Sequence, residues 1–127
     1  MKAKVYLETT IVSYLVASPT RDIVQSAHQQ ITREWWTRRG RFDLFVARPV
    51  LTEAARGDAA AAARRLNALA GIPMLAVSAG VRTIANTLIR TGTLPAKARL
   101  DAVHVAIAAV NGMNYLLTWI QQRGRAQ

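Results

Sequence analysis

The sequence predicts one α/β domain in which a parallel sheet lies between layers of helices. Short apolar segments alternate along the chain with longer segments whose apolar spacing fits a helix. Such alternation is typical of parallel strands joined by helical crossovers, and it predicts a three-layer α/β/α arrangement. A length of 127 residues suits one core, so we expect a single domain over 1–127.

Four strands and six helices are predicted from these segments. The strands are expected at 4–7, 42–46, 74–77 and 115–119. The helices are expected at about 11–15, 22–38, 49–56, 58–69, 81–89 and 101–110. The last helix is apolar almost all round, which indicates burial on more than one side.

Several helix ends carry recognisable capping residues. Thr9 or Thr10 is the expected N-cap of the first helix, and Asp22 and Asp58 are the expected N-caps of the second and fourth. Gly57 is expected to end the third helix in a left-handed conformation. In the second helix an apolar residue recurs every four positions, which predicts the core-facing side to be Ile23, Ala27, Ile31 and Trp35.

The composition excludes several classes of protein. The chain has no cysteine, so a disulfide framework and a thiolate metal site are both excluded, and any metal must be held by oxygen or imidazole. The N-terminal residues contain no long apolar signal core, and no apolar run approaches the roughly 20 residues that span a bilayer. We therefore expect a soluble cytoplasmic protein with no membrane partner.

The chain is strongly basic, with 17 Lys and Arg against 7 Asp and Glu and a formal net charge of +10. Such an excess favours a polyanionic partner, and nucleic acid is the first candidate. A compositional bias with solvated arginines on helix faces is an equal alternative, because net charge does not locate a binding surface.

Three acidic residues interrupt apolar segments: Glu8 after the first strand, Glu53 after the second, and Asp101 at the start of the last helix. Each has an ordinary alternative, as a salt-bridge partner, an exposed helix residue or a helix cap. Together they would suit Mg²⁺ or Mn²⁺, because these ions prefer oxygen ligands. Such an ion could support hydrolysis of a phosphodiester.

Three segments carry a family resemblance, namely VYLETTIVSYL, VLTEAARGD and DAVHVAIAAVNGMNYLLTW. In this order and spacing they resemble the successive motifs of bacterial PIN-domain proteins, of which the VapC toxins are the best-known members. The resemblance extends over the chain to Trp119. It implies a metal-dependent ribonuclease that is the toxin of a type II toxin–antitoxin module.

The resemblance also assigns the site. The family's three acids correspond to Glu8, Glu53 and Asp101, as ligands of Mg²⁺ or Mn²⁺ and as catalytic residues. Thr9 and Thr10 resemble the hydroxyl residues that steady the first acid. RNA is the implied substrate, a cognate antitoxin is the implied protein partner, and a homodimer is the implied assembly.

The end of the chain departs from the family pattern. Family members carry a polar residue after the last strand, where this chain has Ile120, and Asn114 is neutral where an acid is expected. We expect residues from about 120 to 127 to be divergent or truncated. The alternative function is a catalytically impaired remnant that binds RNA or an antitoxin.

His104 lies one helical turn beyond Asp101. It is either a packed helix residue or a hydrogen-bond donor behind the acids. It is not among the predicted ligands.

Overall fold

The computed structural model describes residues 1–119, and the divergent end predicted at about 120–127 lies outside this range. The strands are β1 Ala3–Leu7, β2 Phe42–Ala47, β3 Met74–Leu75 and β4 Tyr115–Leu117. The helices are α1 Thr9–Val16, α2 Ile23–Thr37, α3 Arg48–Ala54, α4 Ala59–Leu69, α5 Ala79–Arg90 and α6 Arg99–Val110. In this part of the chain no helix combines the length and the apolar character needed to cross a membrane.

The strands form one sheet in the order β3-β2-β1-β4, and every pairing is parallel. β1 is central, since Val5 is in register with Leu44 of β2 on one side and with Tyr115 of β4 on the other. α1 packs against α2, α3 and α4, whereas α5 packs against α6. This arrangement confirms the predicted α/β fold class with helices flanking a parallel sheet.

The strand order creates a switch point between β1 and β4. The chain proceeds from β1 through β2 to β3 in one direction, and then returns to place β4 on the opposite side of β1. Where adjacent connections leave a parallel sheet in opposite directions, a crevice opens at the carboxyl ends of the strands. The residues that follow β1 and β4 therefore line a natural ligand-binding position.

The predicted residues at the ends of α2, α3 and α4 are confirmed. Asp22 and Asp58 cap α2 and α4, because each carboxylate accepts a hydrogen bond from the backbone N–H three residues later. Gly57, just beyond α3, has φ of 81°, the left-handed conformation that glycine adopts without strain. β3 and β4 are shorter than predicted, because only Met74–Leu75 and Tyr115–Leu117 have neighbouring strands to pair with.

The helix α2 is confirmed, but its predicted core face is wrong at Ile23, Ala27 and Ile31, which are exposed, and right at Trp35, which packs against the core. Ile23 and Ile31 are 84% and 53% exposed, whereas Gln29 and Thr32 are buried. The buried polar side chains have partners: the amide of Gln29 donates to the carbonyl of Ala17, and the hydroxyl of Thr32 donates to the carbonyl of His28. α2 therefore buries hydrogen-bonded polar side chains, which apolar spacing does not reveal.

α6 is buried on two sides, as its sequence predicts, and open on a third. Ala102, Ala106 and Ile107 are fully buried between the sheet and α5, but Val105 and Val110 are exposed. Val105 lines a cavity at the carboxyl ends of β1 and β4. The open side of α6 thus faces the switch point.

Candidate active site

Glu8 lies where β1 passes into α1, as the sequence predicts. Its N–H donates to the carbonyl of Leu117 in β4, at 3.0 Å, which fixes its backbone at the edge of the sheet. Its Oε1 accepts from the N–H of Thr10 at 3.1 Å and from the hydroxyls of Thr10 and Thr118. Glu8 is therefore the N-cap of α1, and the prediction that Thr9 or Thr10 caps this helix is wrong. The Glu8 side chain accepts from the N–H two residues ahead, so neither threonine hydroxyl is used as the cap of this helix.

Glu53 belongs to α3, which follows β2 without a loop. Its Oε1 accepts a hydrogen bond from the hydroxyl of Thr9 and lies 3.0 Å from Nε2 of His104. The side chain is 18% exposed. Burial is the largest influence on the pKa of Glu53 and raises it, but the hydrogen bonds from His104 and Thr9, together with nearby Arg56, hold the pKa below its ordinary value. Glu53 is thus a carboxylate at neutral pH.

The two threonines of the first motif hold both acids. Thr10 bonds to Glu8, and Thr9 bonds to Glu53 across the gap between neighbouring strands. The expectation that these hydroxyls steady the first acid is confirmed for Thr10, while Thr9 acts on the second acid. A single dipeptide therefore links the ends of β1 and β2.

His104 is both a packed helix residue and a partner of an acid. It is only 2% exposed, and its Nδ1 lies 2.8 Å from the hydroxyl of Tyr6, which is completely buried in β1. Burial, followed by the negative charges of Glu53 and Glu8, raises the pKa of Tyr6 far above its ordinary value. Tyr6, His104 and Glu53 thus form a continuous hydrogen-bonded chain from the core to the site.

Glu8, Glu53 and His104 converge closely. Each offers one ligand atom, a carboxylate oxygen or a ring nitrogen, and these three atoms lie within 4.8 Å of one another. Both hydrogen-bonded carboxylates are engaged through Oε1, and neither Oε2 has a partner among residues 1–119. Two carboxylates whose oxygens approach this closely fit a hard divalent cation such as Mg²⁺ or Mn²⁺.

These side chains open into a cavity of about 280 Å³. Its polar lining includes Glu8, Thr10, Glu53, Asp101, His104 and Thr118, and among residues 1–119 the one lysine or arginine that lines it is Lys97. Its apolar lining includes Leu94, Leu100, Val105, Leu116 and Trp119. The cavity therefore combines acidic side chains, apolar side chains and the positive charge of Lys97.

Asp101 shares this cavity but is not part of the closest group. It lies in the first turn of α6, one turn before His104, and its side chain is exposed. The group of atoms within 4.8 Å contains His104 in its place. The predicted trio thus reaches one cavity, with Glu8 and Glu53 tightly paired and Asp101 at the exposed side.

Thr118 is the polar residue that enters the cavity directly after β4. It follows the strand directly, and its hydroxyl donates to Oε1 of Glu8 at 2.7 Å. Asn114 lies at the other end of β4, where its Oδ1 accepts from the N–H of Lys4 and its own N–H donates to the Lys4 carbonyl. Asn114 therefore stabilises the sheet away from the cavity, and Ile120 lies outside the described residues.

Sequence reasoning missed Thr118 and Tyr6. Thr118 did carry a signal, since a hydroxyl directly after a strand lies where open parallel sheets bind ligands. Tyr6 carried none, because a tyrosine within a strand looks like a core residue and its partner His104 is 98 positions further along the chain.

No protein-family model, curated protein or solved structure matches the chain.

Proposed function

We propose that this protein is a Mg²⁺- or Mn²⁺-dependent endoribonuclease of the PIN type and the toxin of a type II toxin–antitoxin module. The observation that carries the proposal is the close approach of the Glu8 and Glu53 carboxylates at the carboxyl ends of adjacent parallel strands. The motif resemblance supplies the reaction type.

Glu8 and Glu53 would hold the cation through their carboxylates. The hydroxyls of Thr10 and Thr118 orient Glu8, and Thr9 and His104 orient Glu53, so neither carboxylate must reorganise when the cation arrives. A divalent cation there would supply Lewis acidity, which activates a water and offsets charge on the phosphate. Asp101 completes the acidic set from the exposed side of the cavity.

Positive charge supports RNA as the substrate. Lys97 lines the cavity and Arg56 lies close enough to Glu53 to influence it, so cationic groups flank the acids. The chain carries a formal net charge of +10, which attracts a polyanion and releases its counterions on binding. Lys97 would contact a phosphate next to the one that is cleaved, and RNA binding would weaken as salt is raised.

The test is cleavage of a structured RNA by the purified chain in Mg²⁺, in Mn²⁺ and in EDTA. Activity is expected only with a divalent cation, and Glu53→Gln and Asp101→Asn should reduce it by at least a hundredfold, because each removes a charge from the site. Glu34→Gln, on the exposed surface of α2, serves as the matched control and should retain full activity. Equal cleavage by all four proteins would exclude the proposed site.

One observation favours the alternative, a catalytically impaired module that binds RNA or an antitoxin. Asp101 is outside the closest group of ligand atoms, so two carboxylates rather than three are tightly paired. A module of this kind would bind RNA with a clear salt dependence and leave the RNA intact in every cation. Fluorescence anisotropy and a cleavage gel on the same samples separate the two functions.

Two protein partners belong to this proposal, a cognate antitoxin and a second copy of the chain. α2 exposes Ile23, Val24 and Ile31, an apolar group that a partner could cover. Molar mass measured by light scattering during gel filtration tests the homodimer, and Ile31→Ser would reduce it to a monomer if α2 forms the interface. A monomeric wild-type protein would remove the homodimer from the proposal.

A further inference from the structure

The hydrogen-bonded chain that starts at Tyr6 restricts what His104 can do. The hydroxyl of Tyr6 is fully buried, and within residues 1–119 its one hydrogen-bond partner is Nδ1 of His104, at 2.8 Å. On the other side of the ring, Nε2 lies 3.0 Å from Oε1 of Glu53. Both ring nitrogens are therefore engaged, one towards the core and one towards the site.

A phenol hydroxyl and a carboxylate impose opposite demands on an imidazole. The hydroxyl of Tyr6 must place its hydrogen on an acceptor, and Nδ1 is the acceptor within reach. The carboxylate of Glu53 can only accept. The one arrangement that satisfies all four groups is the neutral ring with hydrogen on Nε2, which accepts at Nδ1 and donates to Glu53.

The other tautomer would make His104 a metal ligand. Its Nε2 would carry a lone pair 3.0 Å from Oε1 of Glu53, within the same close group as the two carboxylates, and so would be placed to bind an ion beside them. In that tautomer Nδ1–H points at Tyr6, so the buried hydroxyl has no acceptor. An unsatisfied buried hydroxyl is costly.

We propose that Tyr6 is a specificity-determining residue that keeps His104 out of the coordination sphere. By holding His104 as the Nε2–H tautomer, Tyr6 leaves a site of carboxylates alone, which selects hard cations over imidazole-preferring ions such as Zn²⁺. His104 is then a positioning residue that orients Glu53. The proposal rests on the cation site of the proposed function.

Tyr6→Phe separates this role from simple packing. Phenylalanine keeps the ring and removes the hydroxyl, so His104 is free to present its Nε2 lone pair. The variant would then offer a mixed site of two carboxylates and one imidazole, the three groups whose ligand atoms lie within 4.8 Å in the wild-type chain. We expect Tyr6→Phe to bind Zn²⁺ on the order of ten- to a hundredfold more tightly, the factor that corresponds to one unsatisfied buried hydroxyl, and Mn²⁺ no more tightly.

The first experiment observes the tautomer itself, in the wild-type chain with EDTA and without RNA. Long-range ¹⁵N–¹H correlation spectra of ¹⁵N-histidine protein report which ring nitrogen carries hydrogen. The chain has two histidines, and the signal that is lost in His104→Gln identifies the relevant one. A neutral ring with hydrogen on Nε2 is expected. Hydrogen on Nδ1, or on both nitrogens, at neutral pH would overturn the proposal.

The second experiment is calorimetric titration of wild type, Tyr6→Phe and Tyr115→Phe with Zn²⁺ and with Mn²⁺. Tyr115 is exposed, so its variant controls for the loss of a phenol hydroxyl away from the site. The Zn²⁺ to Mn²⁺ affinity ratio should rise in Tyr6→Phe alone. If wild type binds Mn²⁺ and the ratio does not change, this inference fails and the proposed function stands. If wild type binds no divalent cation, the proposed function fails, and the selectivity role of Tyr6 fails with it.

Discussion

Replacing Glu53 by Gln tests whether its carboxylate stabilises the fold as well as the proposed cation site. Gln has nearly the same shape and keeps an oxygen that can accept from Thr9 and His104. What the substitution removes is the negative charge. Any loss of stability measured in EDTA therefore reports the charge and not the packing.

The expected magnitude follows from the two hydrogen bonds that Glu53 accepts. A hydrogen bond to a charged group contributes about 1.5–3 kcal/mol and a neutral one about 0.5–1.5 kcal/mol, so two bonds lose about 2 kcal/mol in all. The neutral amide avoids the desolvation of a carboxylate, which offsets about half of this loss. We expect Glu53→Gln to lower the free energy of unfolding by about 1 kcal/mol at neutral pH, or Tm by about 4 °C for a domain of this size.

The pH dependence has a definite sign. The pKa of Glu53 is lower in the folded chain than its ordinary value of 4.5, so folding favours the charged form. Its contribution is complete above the unfolded pKa and disappears as the pH falls through the folded pKa. The difference between wild type and Glu53→Gln should therefore be largest at neutral pH and shrink in acid.

Urea unfolding followed by circular dichroism, at about pH 7 and about pH 3 in EDTA, measures this difference. Glu34→Gln, on the exposed surface of α2, is the matched control and should leave the stability unchanged at both pH values. A Glu53→Gln protein as stable as wild type at neutral pH, or a difference that does not shrink in acid, would refute the reasoning.

Three further predictions concern single side chains. Thr118→Val removes a donor to Glu8 and should weaken Mn²⁺ binding about tenfold in calorimetry, and unchanged affinity would show that Thr10 suffices. Gly57→Ala should lower the unfolding free energy by about 1 kcal/mol because φ is 81°, whereas Gly40→Ala should not, because Gly40 lacks a positive φ and an added Cβ meets no atom within 4 Å at either position. Asn114→Ala should cost about 1 kcal/mol in urea unfolding through loss of the bond from the Lys4 N–H, and Asn114→Asp, which keeps the acceptor, should restore stability.

Much of the fold could be predicted because its signals are local. Alternating apolar segments, the caps Asp22 and Asp58 and the left-handed Gly57 each depend on a few neighbouring residues. The buried face of α2 could not be predicted in this way. Gln29 bonds to the carbonyl of Ala17, and the hydroxyl of Thr32 accepts from the indole N–H of Trp119, so both are buried against partners distant in sequence, whereas Ile31 is 53% exposed.

The sequence by itself determined the α/β class and drew attention to Glu8, Glu53 and Asp101, because a carboxylate that interrupts an apolar segment is costly unless it has a use. Only the tertiary structure decided how these acids are grouped. The order β3-β2-β1-β4 brings Thr118 to Glu8, and the packing of α6 brings His104 to Glu53 and Tyr6. These contacts join residues between 51 and 110 positions apart, and no local pattern records partners at that separation.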